Sequence, residues 1–522
     1  MDLHRRVRAS GLSILGSEPP FSCFDWVESN LQSIESIRRC FSLARSLGTK
    51  TFIAEDIPAV GLIQDENDEL VRLASDYTMP GLKRISFWTT HVPNAAALSS
   101  VDSTALCGYA IMKHDRVPSR KRDGWHVFEA VFKKYPHEHN CVPSEKIHNI
   151  CVNGKALTIR GVLYAQQNGI NKVCAHVALR TLLSRRLPAG DVSYSELNKL
   201  AAKATLGKYD PSQGLCAPQI RAILSHFDVP FRDIDYVEEE KIDPNIRKTH
   251  PFQKYLYAGI ESGCGALLGF RMTGPAASNE RHIVPFFGHT FNKDTWVPDA
   301  DVAYFDVGGG IGYVPSESWT SSFLGHDDNF GPNLCVPRLY VRPEQADYVV
   351  ELLHNEVAYS GLHAEAVSLL FLYSLHPHLL KNKNPWMKRL ATASHPDVRR
   401  VVLRAVCVSK DTYLKHIREE KDWMGMQEYP KMTQILEGFL PKMLWVIEVS
   451  LPHLFPANEH KLGEILLNPF IAFDSKNPVN YNLFLLARLP GRLFVLKSTS
   501  GEKPSFLEAP SACESHRAML RI

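Results

Sequence analysis

The chain has 522 residues, 44% of them hydrophobic and 22% charged, with a formal net charge of +3. That length exceeds what one hydrophobic core holds and predicts two to four domains, and the composition excludes a disordered chain. So small a charge gives no concentrated basic field, which argues against nucleic acid or a membrane surface as partner.

No apolar run reaches the roughly 18 residues a membrane helix needs. The opening MDLHRRVRASGLSILGSEPP has too short an apolar stretch for a secretory leader. Eleven Cys, scattered without pairing rhythm, suit a reducing compartment with unpaired thiols. A cytoplasmic location is expected.

Region 1–155 opens on a helical pattern over 26–48, closed by Gly48 as a C-cap. Strand-like runs follow in ISFWTT, LCGYAIM, HVFEAVF and NICVNG. The basic stretch KHDRVPSRKRDG, 113–124, reads as a solvated hairpin loop or an anion-binding patch. His137 and His139 near Cys141 lack the second ligand pair a zinc site needs.

Region 156–336 reads as strand, Cys-bearing helix, further helices at 194–204 and 217–227, then a strand-rich half with GALLGFRM, HIVPFFG, AYFDV and IGYVP. The stretch 237–251 reads as a surface connection. VGGGIGY, 307–313, lacks the Lys-Ser/Thr ending of a phosphate loop and reads as a glycine hairpin. Region 337–522 predicts a helix over 343–361 and another over 364–375 stopped by Pro377, then strands at 401–409 and 442–450. His376 and His378 mark the helix terminus. No catalytic constellation is visible there, and a packing or partner-selecting role is expected.

The chemistry concentrates in YAQQNGINKVCAHVALRTLL, 164–183. Apolar residues at 174, 177, 178, 182 and 183 follow the helical period, with Asn171 as N-cap. Cys174 then opens the helix, where unsatisfied N–H groups and the positive dipole end favour a thiolate. An upstream Gln167 amide, beside the Cys174 N–H, suits a developing oxyanion. Cys216 also starts a helix, behind Gln213, and Cys264 leads into a strand. The segment RHIVPFFGHTFNKDTWVPDADVAYFDV, 281–307, favours Cys174. His282 opens an apolar strand, and a carboxylate near the end of the next strand would hold its imidazole toward a thiol. Asp299 fits a reversal near 290–291; Asp301 fits if the hairpin is bulged; Asp294 sits too near the turn. Pro285 suits an edge or a bulge.

The order Gln167, Cys174 helix, YSELNKLAAKATLGKYDPSQGLCAPQI, ESGCGALLGF, His282 to Gly288 and Asp299 resembles the papain-like cysteine peptidase clan, closest to its bacteriocin-processing branch. The resemblance implies an α+β fold: a papain-like domain over 156–336, its Cys-bearing helix packed on an antiparallel sheet, between N-terminal α/β and C-terminal mixed α/β domains. It implies Cys174 as nucleophile, His282 as base, Asp299 as orienting group and Gln167 at the oxyanion, with no metal or organic cofactor. The partner would be a protein or peptide substrate; an acyl-transferase on the same site, or a scaffold with a relic site, are the alternatives. In SFLGHDDNFGPN, His326, Asp327 and Asp328 form a structural turn, a rim of the cleft, or metal ligands. Neighbouring side chains on an extended segment point to opposite faces, so all three cannot easily meet one ion.

Overall fold

In a computed structural model the protein is mixed α+β, with several antiparallel sheets, one curled into a half-barrel. The structure describes residues 3–16, 22–32, 35–134, 140–143, 145–170, 174–188, 190–205, 209–210, 214–272, 281–292, 312–419, 436–455, 459–474, 480–497, 505–511 and 513–520. The chain divides into two compact units that alternate along the sequence. The first holds 1–229, 269–286 and 324–336; the second holds 230–268, 287–323 and 337–522.

The first unit is built on a seven-stranded antiparallel sheet. Its strands run, in order, Gly11–Gly16, Thr51–Asp56, Thr78–Trp88, Leu106–Val117, Arg122–Phe132, Lys155–Tyr164 and Lys146–Val152. Successive side chains serve opposite faces. Phe52, Phe87, Ala110 and Val127 join one core with Phe41, while Ile53, Trp88, Ile111 and Phe128 join the other with Leu62. This two-sided burial explains strands that read as continuous apolar runs. The pattern over 26–48 predicts one helix, but the chain forms two, Ser22–Leu31 and Glu35–Ser46, separated at Gln32, whose φ of 54° no helix tolerates. Gly48 closes the second as expected, with φ 82° and its N–H on Arg45 O.

The helix Cys174–Arg186 packs against the strand Lys155–Tyr164 and is buried from Ala175 to Ser184. A buried ion cluster ties it down. Arg180 donates to Glu129 (2.9 Å), to both Asp191 oxygens (3.0 Å each) and to Phe128 O (3.0 Å). Arg5 donates to the same two acids, at 2.6 and 3.0 Å to Glu129 and 2.8 Å to Asp191. Burial opposes both carboxylates, but the guanidinium charges keep each below its ordinary range.

The second unit carries another sheet, ordered Val314–Pro315, Val402–Ser409, Met443–Ser450, Gly463–Leu467, Phe484–Leu489, Arg492–Lys497 and Ser505–Pro510, parallel only in its first pair. Helices Gly361–Lys381 and Pro385–Ala393 share its apolar core. Two expectations fail here. The region 343–361 is no helix: Ala346–Leu352 is a strand, buried throughout and paired antiparallel with Phe231–Asp235. Pro377 does not stop its helix, which runs on to Lys381. The stretch 237–251 carries two short helical turns, Tyr236–Glu239 and Ile246–Thr249, on a largely exposed connection.

Removing one partner from a buried ion cluster strands the others without counter-charge. Arg180→Ala should therefore lower unfolding free energy by about 3–5 kcal/mol, read as a drop in urea midpoint. Arg38→Ala, which breaks an exposed 4.0 Å pair with Glu28, should leave the midpoint unchanged.

Candidate thiol–imidazole–carboxylate site

Cys174 is the first residue of its helix and is half-buried. Asn171, expected as its cap, lies outside the described residues. The segment before it is held residue by residue. Gln166 pairs with Val127 twice, its N–H on Val127 O and its Oε1 accepting from Val127 N, each at 2.9 Å. Asn168 donates to Glu66 (3.1 Å) and accepts from Ile170 N (2.9 Å). Both neighbours are thus committed to the scaffold. Gln167 alone reaches the other way, its Nε2 donating to Asn329 Oδ1 at 3.0 Å.

The basic stretch 113–124 forms the hairpin between Leu106–Val117 and Arg122–Phe132. Its Arg120 donates to Ile170 O (2.7 Å) and Leu73 O (3.1 Å), and the Arg122 guanidinium lies over Gly169. The hairpin braces the loop that leads to Cys174.

His282 lies near the start of the strand Arg281–Phe291 and is buried. Its imidazole hydrogen-bonds Asp327 Oδ2 through Nε2 at 3.0 Å, and its pKa is raised further by the neighbouring Cys174 thiol. Asp327 ends the strand Thr320–Asp327, and its other oxygen accepts from Asn329 N (2.8 Å) and Phe330 N (3.1 Å). The backbone turn thus fixes the carboxylate, and the carboxylate fixes the ring. The two strands are neighbours in their sheet. They approach closely at Gly325, where an added Cβ would stand 2.7 Å from Pro285 O. Only glycine permits that approach, two residues before Asp327. Pro285 stands inside a continuous strand.

Burial disfavours a charged His282, but hydrogen bonds to Asp327 and Cys174 and the charges of Asp327 and Asp328 outweigh it and push its pKa up to about 11. Burial likewise opposes the Asp327 carboxylate, which His282 and the two turn amides bring below its ordinary range. His326, one residue before, faces elsewhere: it bonds Val162 O (3.2 Å) and accepts from Asn333 N (3.1 Å), and burial drops it to about 3, so it stays neutral. His282 Nε2, Asp327 and Asp328 also place ligand atoms within 4.8 Å of one another, a spacing a divalent cation can use.

Of the expected site, Cys174 and His282 meet, and Gln167 reaches Asn329, two residues beyond Asp327. Asp299, with Asp294 and Asp301, lies outside the described residues, as do His137, His139 and Gln213. The carboxylate found on the imidazole is Asp327, which the sequence left between a turn, a cleft rim and a metal ligand. Its signal was an acidic pair closing an apolar strand of its own. Cys216 caps the helix Ala217–His226 and is exposed, and Cys264 is buried. Searches for similar proteins return no matching family model, curated relative or solved structure.

An imidazole raised from 6.5 to about 11 contributes stability that is complete below pH 6.5 and is lost as pH rises from there through 11. In histidine 15N NMR, His282 should keep its proton at pH 8 while exposed histidines lose theirs. Asp327→Asn should lower its midpoint by about one to three pH units; an unchanged midpoint would remove Asp327 as the cause.

Proposed function

We propose that the chain is a cysteine peptidase that hydrolyses an amide or peptide bond through a thioester acyl-enzyme on Cys174. The observation that carries this reading is the buried His282–Asp327 hydrogen bond beside the Cys174 thiol, which is half-buried at a helix start. The thiol stands at a helix start beside a charged imidazole, and the carboxylate on Nε2 holds that ring in place.

In the first half-reaction the Cys174 sulfur attacks the carbonyl carbon. The oxyanion takes hydrogen bonds from the Cys174 N–H and from the Gln167 amide, which the Asn329 contact holds in place. His282 then gives its proton to the departing amine as the C–N bond breaks. In the second half, His282 takes a proton from water, the hydroxide attacks the thioester, and the acid leaves as sulfur recovers the electron pair. The helix-on-sheet setting of Cys174 supports a papain-like architecture. The substrate is a protein or peptide. Free thiols throughout the described residues, and the lack there of any helix long and apolar enough to cross a membrane, support a cytoplasmic setting.

Two experiments test this. At limiting iodoacetamide and neutral pH, mapped labelling should favour Cys174 over the exposed Cys216 and Cys335; the opposite order would sink the assignment. Against a peptide library, Cys174→Ala and His282→Ala should abolish product. Asp327→Asn should lower turnover by about a hundredfold or more while leaving the fold intact. Products capped by an added amine instead of water would reassign the chain as an acyl-transferase using the same intermediate.

A further inference from the structure

Beside Asp327 stands a second carboxylate that this series does not require. Asp328 is 3% exposed, its Oδ1 lies 3.5 Å from His282 Nε2, and among the described residues neither of its oxygens has a hydrogen-bond partner from another residue. Buried carboxylates ordinarily collect donors. Asp327 next to it has three: the imidazole and the amides of Asn329 and Phe330.

The titratable groups facing Asp328 come from three elements. His282 stands near the start of one strand and Asp327 at the end of the next. Tyr164, at the end of Lys155–Tyr164, has its hydroxyl held well above its ordinary range, first by burial, then by charges that include Cys40, Asp327 and Asp328. His282 is the positive group in this set. A charge buried beside a single positive group acts chiefly on that group.

We propose that Asp328 is a positioning residue of the thiol site, a second carboxylate whose charge holds the proton on His282 while the thiolate faces its substrate. The inference rests on the cysteine-peptidase reading and deepens it by naming what sets the alkaline limit of the reaction. No bond is made or broken at Asp328. It acts through His282, whose proton goes to the departing amine and is replaced from water. Burial, countered by His282 and reinforced by Asp327, pushes its own pKa up to about 6. As pH rises through that value Asp328 ionises, and the imidazolium gains its second counter-charge where it begins to need one.

The test is the titration of His282 in the full chain, followed by histidine 15N NMR and assigned by its loss in His282→Gln. Asp328→Asn should lower the His282 midpoint by about one to three pH units. Asp328→Glu should restore most of that shift. A His282 midpoint unmoved by Asp328→Asn overturns the proposal. If that variant does not fold, carboxyl 13C titration of the unmodified chain decides. An Asp328 carboxyl that titrates in the ordinary range, with no accompanying inflection at His282, overturns it; a raised value with that inflection supports it. Failure of the underlying reading has a separate signature: Cys174→Ser would then leave the His282 midpoint unchanged whatever Asp328 does.

Discussion

The site depends on a helix that cannot slide. Arg180, six residues along from Cys174, is locked between Glu129 and Asp191, with Arg5 closing the cluster from the other side. At 1.5 Å per residue this anchor sits about 9 Å from the thiol along the helix axis, close enough to fix the sulfur's height above the sheet. A second anchor acts on the approach to the helix, where Asn168 is bonded to Glu66 and Glu66 is paired with Lys113. Apolar packing alone leaves a helix several registers of similar energy; buried charges with fixed partners leave one, because every other register strands an ion.

Two histidines separated by 44 positions show how neighbours decide chemistry. His282 and His326 are both buried. His326 meets a carbonyl and an amide, so it stays neutral and serves as a strut between strands. His282 meets two carboxylates and a thiol, so it holds a charge. Burial pulls both downward; carboxylates within 3.0 and 3.5 Å reverse the outcome for one of them.

The places of Cys174 and His282 were legible because local periodicity carries them: a helical repeat behind Cys174 and an apolar run after His282. Gln167 bonds Asn329, while its neighbours Gln166 and Asn168 are tied to the scaffold. The orienting carboxylate was less legible, for a topological reason. Asp299 lies outside the described residues, and among those described the strands beside the histidine strand include Ala266–Arg271 and Thr320–Asp327. Thr320–Asp327 begins 29 positions after the histidine strand ends, and no local periodicity ties two strands so far apart in sequence. Asp327 and Asp328 resembled turn residues because they are turn residues as well: one oxygen of Asp327 caps the turn and the other holds the imidazole. The strand Ala346–Leu352 was misread for a different cause, since a short run buried on both faces has no alternation to separate it from a helix.

The wide spacing of the three groups has a consequence for how the chain is made. Cys174, His282 and Asp327 leave the ribosome in that order, and the last two are 45 residues apart. The segment 287–323, which belongs to the second unit, is synthesised between them. A nascent chain that has emerged only through His282 holds a thiol and an imidazole but not the carboxylate that aims the ring. Competence therefore arrives late in translation, and a chain truncated between 283 and 326 is left without it. On the proposed reading, this order of assembly leaves Cys174 idle while its own neighbours are still unfolded.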